Sequence, residues 1–402
     1  MSLMAVSEAL HRLLASASAE PLPETETLKL EAALGRVLAR PVRSAYDVPP
    51  WDNSAMDGYA LHTDDMEMAT AQGLPVSQRI TAGMAPEPLA RGTCARIFTG
   101  APVPAGANSV EMQENVHIDD QGLAHFAKAL NPGQNIRPQG QDIRAGHILL
   151  EPGLRLKPQD LGIIASVGLD TVEVTRALRV AVLSTGDELV EPGQPLGPGQ
   201  IFNSNRFTLI GCLQRLGHQV IDAGILADEP EATRTRLQTL AGRADVIITS
   251  GGVSVGEADY LGQTLREHGE LDMWKLAIKP GKPFTLARFA GTPVLGLPGN
   301  PAAVLVTFLL LVRPYLLRRL GVHEVEPVKL EVPAGFEWPR AGNREEYLRA
   351  RLEQGRVMLT GNQSSGVLST ASLANGLACI QAGKTLAEGD QVLFLSFAGL
   401  FD

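Results

Sequence analysis

Four stretches of this chain concentrate residues that hold anions or cations rather than residues that cleave bonds. Ser184-Thr185-Gly186-Asp187-Glu188-Leu189 follows an apolar run at 178–183 broken only by Arg179, so a tight glycine turn and two carboxylates close a buried strand. Thr249-Ser250-Gly251-Gly252-Val253-Ser254-Val255-Gly256-Glu257-Ala258-Asp259-Tyr260 places three glycines between a strand and a helix. Such a turn can aim backbone N–H groups at an anion, and the helix start adds a favourable dipole end; plain chain reversal is the alternative use. In Leu297-Pro298-Gly299-Asn300-Pro301, capping alone explains Asn300 and Pro301, and a turn made rigid by Pro298 and Pro301 could equally hold an anion. Lys275-Leu276-Ala277-Ile278-Lys279-Pro280-Gly281-Lys282 gathers three lysines. If 274–278 is a strand, Lys275, Ala277 and Lys279 share a face; an anionic ligand or a solvated edge would each account for them.

Asp228 ends a further strand and can cap the next helix. With Asp187, Glu188 and Asp259 it would form an acidic sheet edge close to the lysines. That mixture suits Mg²⁺ bridging phosphate oxygens, because an acidic edge alone would repel a phosphorylated ligand. Two outlying segments, 49–60 and 98–108, pack polar residues between turn formers and read as turns that could also carry a site.

The elements that must position these residues fall into four parts. Residues 1–45 with 146–176 read as a discontinuous N-terminal domain, elongated and helical with some β structure. Its helices are expected at the start of the chain, where Ser7 can cap, and at Glu31 to Leu38. Residues 46–145 read as an inserted β-rich domain of short strands and Pro/Gly turns. Residues 177–325 alternate strands with helices, the pattern of a mainly parallel, three-layer α/β domain that binds ligands at the carboxyl ends of its strands. Residues 326–402 read as a C-terminal β domain, barrel-like or a sandwich.

Composition narrows the partners. In 402 residues, 44 acids against 35 bases leave a net charge of −9, which argues against nucleic acid. The longest apolar stretch, 302–312 apart from Thr307, is too short for the ~20 residues of a bilayer span. The N-terminus lacks a basic region, and Cys94, Cys212 and Cys379 lie far apart without a C-x-x-C pair. A reduced cytoplasm is the expected home. The 41 glycines and 27 prolines are scattered rather than periodic, as in a set of compact units rich in tight turns.

In order along the chain stand D-N-S-A-M-D-G-Y-A at 52–60, T-G-A-P-V-P at 99–104, T-G-D-E-L at 185–189, T-S-G-G-V-S-V-G-E-A-D-Y at 249–260, K-P-G-K-P at 279–283 and L-P-G-N-P at 297–301. This set resembles the molybdopterin molybdenumtransferase (MoeA) family, related to the gephyrin E domain, from the N-terminal helices through the C-terminal domain. The resemblance implies a four-domain homodimer that inserts molybdate into adenylylated molybdopterin and releases AMP in a Mg²⁺-dependent step. It implies transient contacts with the adenylyltransferase that makes the substrate and with the molybdoenzymes that receive the product. Carried onto this chain, it gives Glu188, Asp228 and Asp259 metal and pterin contacts, and Lys275, Lys279 and Lys282 the anionic groups. Ser250, Gly251, Gly252, Pro298 and Pro301 would line the substrate. Asp57, Thr99 and Asp142 would reach in from the second domain. Lys279, Lys282, Arg349 and Ser365 would cradle molybdate, since an oxyanion wants donors and positive charge. Two rivals follow from the same resemblance: an adenylyltransferase, which needs only the α/β part, and a gephyrin-E-like scaffold, which would bind receptor peptides.

Overall fold

A computed structural model of the chain describes residues 3–226, 229–252 and 260–401. They form two compact units, Arg40–Glu151 with Pro158–Val172, and Met1–Ala39 with Pro152–Lys157 and Glu173–Asp402.

The first of these units is built on a six-stranded sheet. Its order is Ser109–Met112, Gly58–Leu61, Cys94–Ile97, Leu74–Ile80, Leu123–Phe126, Val116–Ile118. Neighbours on a strand point to opposite faces. Ala60 and Ala95 accordingly join one apolar cluster, with Ile80, Ile97 and Val110. Leu61 and Cys94 join another, with Leu74, Ala124 and Phe126. Gly58 is required where two strands meet, because a Cβ there would stand 1.8 Å from the carbonyl oxygen of Glu111.

The second unit holds two six-stranded sheets. Helix α1 (Val6–Ala19) precedes strands β1 (Arg179–Thr185), β2 (Gln219–Leu226), β3 (Val246–Ser250), β4 (Gly269–Lys275), β5 (Ile278–Lys279), β6 (Pro283–Phe289) and β7 (Thr292–Leu297). Interleaved with them are helices α2 (Ser204–Arg215), α3 (Pro230–Ala241) and α4 (Tyr260–His268), and α5 (Pro301–Arg319) follows, with a π-helical stretch at Phe308–Val312. The sheet order is β2-β1-β3-β7-β6-β4. The first four strands run parallel, and β6 and β4 are added antiparallel. Val180, Val182, Val246, Ile248, Leu295 and Leu297 pack beneath α1, α2 and α5, whereas Ala181, Leu183, Ile247 and Val294 pack beneath α3 and α4. The sheet is thus the middle of three layers. Helix α5 has the length and composition of a bilayer span, but nearly all its residues are buried in this core.

The second sheet adds β8 (Leu330–Pro333), β9 (Glu345–Glu353), β10 (Arg356–Leu359), β11 (Gly376–Ile380) and β12 (Gln391–Ser396) to β5, in the order β5-β9-β11-β12-β8 with β10 beside β9.

Three local expectations change. Ser7 lies inside α1 and does not cap it, the N-cap position being Ala5, which has no side-chain capping bond. The helix expected at Glu31 to Leu38 is a single 3-10 turn, Leu30–Ala32. Beyond it the backbone pairs with the returning segment, Leu38 N–H donating to Leu154 O at 2.9 Å, so tertiary pairing overrides helix propensity. A continuous strand through 274–278 is also not formed. Strand β4 stops at Lys275 because the N-terminal segment docks there: Met4 N–H donates to Lys275 O and Ala277 N–H to Met4 O. Lys275 and Lys279 therefore belong to different sheets rather than to one face.

Candidate functional site

The carboxyl ends of β1 and β3 touch through glycine. Gly251 and Gly252 have φ of +82° and +61°. A Cβ on the first would lie 2.6 Å from Thr185 O, and on the second 2.5 Å from Thr185 Oγ1. No side chain fits at either place, so these glycines let two strand ends close on each other. Gly251 N–H donates to Leu297 O at 3.2 Å, which ties in the end of β7. Beneath them the hydroxyls of Ser184 and Ser250, both buried, lie 3.3 Å apart. Glu188 is exposed, and its carboxylate folds back so closely over Gly186 that a Cβ there would meet Oε2 at 2.5 Å. Asp228 and Asp259 lie outside the described residues. Among the described residues no group of three His, Cys, Asp or Glu side chains is arranged around a metal position.

The start of α5 joins the same edge. Pro298 is buried, and Pro301 is the first helical residue, as its fixed φ favours. Asn300 stands at the N-cap position but makes no capping bond. Its Nδ2 instead donates to Ser365 Oγ at 3.1 Å, while Ala302 N–H donates to Ser365 O at 3.0 Å. Ser365 Oγ thus accepts from Asn300, and its own O–H remains available to donate.

Arg349 lies behind that loop. It is fully buried on β9, and among the described residues its side-chain hydrogen bonds are all to neutral groups. Nη2 donates to the carbonyls of Asn362 (3.1 Å) and Ser364 (3.0 Å), and Nε to Thr370 Oγ1 (3.3 Å). Nη1 is buried and lacks a partner among the described residues. Burial pushes the Arg349 guanidinium below its ordinary pKa. Such a cation is costly alone and is relieved by an anion brought close.

The three lysines are exposed. Lys275 and Lys282 flank the mouth of the β4–β6 pair, where Leu276 N–H donates to Lys282 O at 2.7 Å. Lys279 reaches the buried carboxylate of Glu346 at 2.9 Å and stands 5.9 Å from the centre of the Trp338 ring. Between them, Gly281 (φ +117°) lies so close to α5 that a Cβ would meet Thr307 Oγ1 at 2.5 Å.

In the other unit, Asp57 and Thr99 come together. Asp57 Oδ1 accepts from Thr99 N–H at 2.8 Å and from the Thr99 hydroxyl at 2.7 Å. Those two donors, helped by the charge of Arg96, hold the Asp57 carboxyl below its ordinary value. Arg96 also donates to Gly58 O at 2.8 Å and stacks over Phe98 and Tyr59. Asp142 is exposed in a turn, its N–H donating to Val48 O at 3.0 Å.

Sequence reasoning passed over Glu346, Arg96 and the Asn203-Ser204-Asn205 segment. Asn203 caps α2 by accepting from Arg206 N–H, and an Asn just before a helical pattern is the signal that could have found it. Nothing in sequence announces that Glu346 would pair with a lysine 67 residues away.

Comparison with known proteins covers nearly the whole chain. Residues 4–168 match the MoeA N-terminal region (domain I and II), 181–318 a probable molybdopterin binding domain, and 331–397 the MoeA C-terminal region (domain IV). A molybdopterin molybdenumtransferase of Haemophilus influenzae is 39% identical over 363 residues, 88% of this chain and 89% of that protein. One from Nostoc sp. is 39% identical over 388 residues, 92% and 88% of the two chains. A crystal structure of a molybdopterin biosynthesis MoeA protein from Pyrococcus horikoshii superposes with a TM-score of 0.84 at 28% identity, covering 98% of this chain and 100% of that one.

Proposed function

The chain belongs to the MoeA family, and from that premise we propose that it is a transferase of molybdenum cofactor biosynthesis that inserts molybdate into adenylylated molybdopterin and releases AMP. In this reading it works as a homodimer in the cytoplasm, with transient contacts to the enzyme that adenylylates its substrate and to the molybdoenzymes that take the product.

The observation that carries the oxyanion end is Arg349: a buried guanidinium that, among the described residues, has only neutral partners and an unpartnered Nη1, beside a serine whose O–H is available to donate. Molybdate would accept from both. The guanidinium supplies planar donors and undiminished charge, and Ser365 supplies one oriented hydroxyl. Lys282 and Lys279 add positive charge at the hairpin. The glycine turn at 251–252 and the start of α5 take the nucleotide-pterin, where backbone N–H groups would donate to phosphate oxygens without bringing more charge. Glu188 offers the hard carboxylate oxygen that Mg²⁺ prefers, with Asp228 and Asp259 completing the donor set, and the ion would offset the charge of the phosphate anhydride. The sulfur chemistry belongs to the substrate's dithiolene. The protein's part is to hold two anions together and to oppose their repulsion.

The test is AMP release by the purified chain from adenylylated molybdopterin, with and without molybdate, in the presence of Mg²⁺. Molybdate-dependent release is the expected result. Pyrophosphate formation from molybdopterin and ATP would assign the chain to adenylylation instead, and AMP release indifferent to molybdate would overturn the proposal.

A further inference from the structure

The turn from β7 into α5 is gripped by two asparagine amides. Asn205, in the first turn of α2, donates Nδ2 to Gly299 O at 2.7 Å. The next residue, Asn300, donates to Ser365 Oγ, and Ala302 N–H binds Ser365 O. Ser365 is therefore fixed at its hydroxyl and its carbonyl by the turn that Asn205 fixes from the other side.

Neither asparagine is used in the ordinary local way. Asn300 occupies an N-cap position without capping. The Asn205 amide has its orientation set by the Gly299 carbonyl, which only the NH₂ end can approach as a donor. Its Oδ1 is left buried and without a partner among the described residues. Asn205 stands inside the first turn of α2, behind the capping Asn203, and Asn300 leaves its own cap position unused; both amides instead hold one turn, an arrangement that helix stability alone does not call for.

We propose that Asn205 and Asn300 act in series as positioning residues, a relay that aims the Ser365 hydroxyl at the oxyanion. Asn205 sets the Gly299 peptide, Gly299 sets Asn300, and Asn300 occupies the acceptor side of Ser365 so that its proton points to the ligand. The inference rests on the oxyanion site proposed above.

The experiment uses the full chain and three variants, Asn205→Ala, Asn300→Ala and the double. It reads KM for molybdate in AMP release, molybdate binding by calorimetry without turnover, and the affinity for adenylylated molybdopterin. Each single change is expected to raise molybdate KM and Kd about tenfold while leaving pterin affinity within twofold. The double should lose no more than the weaker-binding single, as groups in series do. Asn300→Asp should lose more than Asn300→Ala, because a carboxylate takes the Ser365 proton for itself. Deuterium uptake of the segment 361–367 should rise in both single variants at an unchanged melting temperature. Wild-type molybdate binding in either single variant, or multiplied losses in the double, would overturn the relay. AMP release indifferent to molybdate, together with calorimetric losses as expected, would overturn the functional reading and leave the relay standing. A wild-type chain that binds no molybdate would overturn both.

Discussion

Strand β9 carries two answers to one problem. Glu346 and Arg349 are three residues apart, so they face opposite sides of the sheet. On one side Glu346 is buried and neutralises Lys279, whose side chain is 48% exposed. On the other, Arg349 is 0% exposed and is held by carbonyls and a hydroxyl. The exposed cation has a counter-charge and the buried one has none among the described residues. A partnered lysine in high dielectric offers an incoming anion little, whereas an unpartnered guanidinium in low dielectric keeps its full field. The difference predicts which of the two dominates oxyanion binding.

The largest effect should follow Arg349→Ala. It removes that field and leaves the Asn362 and Ser364 carbonyls unanswered, at a cost of about 3 kcal/mol in stability and at least a hundredfold in molybdate-dependent turnover. Denaturant melts and AMP release measure the two parts. Arg349→Lys should keep the charge, lose the forked contacts and recover little activity. Turnover near wild type in Arg349→Ala would break the comparison outright. Lys279→Ala should cost less, about tenfold in molybdate KM, because its charge is already opposed. Glu346→Gln sharpens the contrast in the other direction: with Lys279 released, molybdate KM should fall about twofold and depend more steeply on ionic strength. A rise in KM would mean that Glu346 holds Lys279 in its working position.

The smallest effect lies in the other unit. Thr99→Ala removes the hydroxyl bond to Asp57, and its carboxyl pKa should climb toward the ordinary value, read by NMR titration. The sign is fixed by the depression: Asp57 contributes to stability above its ordinary pKa of 3.8, and the contribution is lost as pH falls through the lower folded value. The variant should therefore melt slightly lower at pH 7, where the contribution is fully present, and show a weaker loss in that acid range.

How legible this was in sequence depended on distance along the chain. Motifs built from adjacent residues gave local geometry: the glycine pair at 251–252 does leave a strand end with positive φ, and Pro301 does open a helix. The alternation of strands and helices at 177–325 announced a layered sheet, because apolar periodicity is a local signal. What failed depended on partners far away. Asn300 reads as a cap and is a contact to a residue 65 positions on. Lys275 and Lys279 read as neighbours on one strand, and a segment from the N-terminus parts them. Arg349 was singled out as a cation for an oxyanion, but its burial and its lack of a counter-charge arise only from the packing around it.

Helix α5 has a further consequence, for how such a protein can change over evolutionary time. Its first turn fixes Ser365, its flank meets Gly281 at the lysine hairpin, and its body is the most deeply buried helix of its unit. Mutations that would retune the first turn must therefore pass through the core. Drift between similar oxyanions, or directed evolution toward one, has an open route at the exposed positions 275, 279 and 282. A combinatorial library confined to those three codons would explore ligand preference while leaving the inherited scaffold untouched.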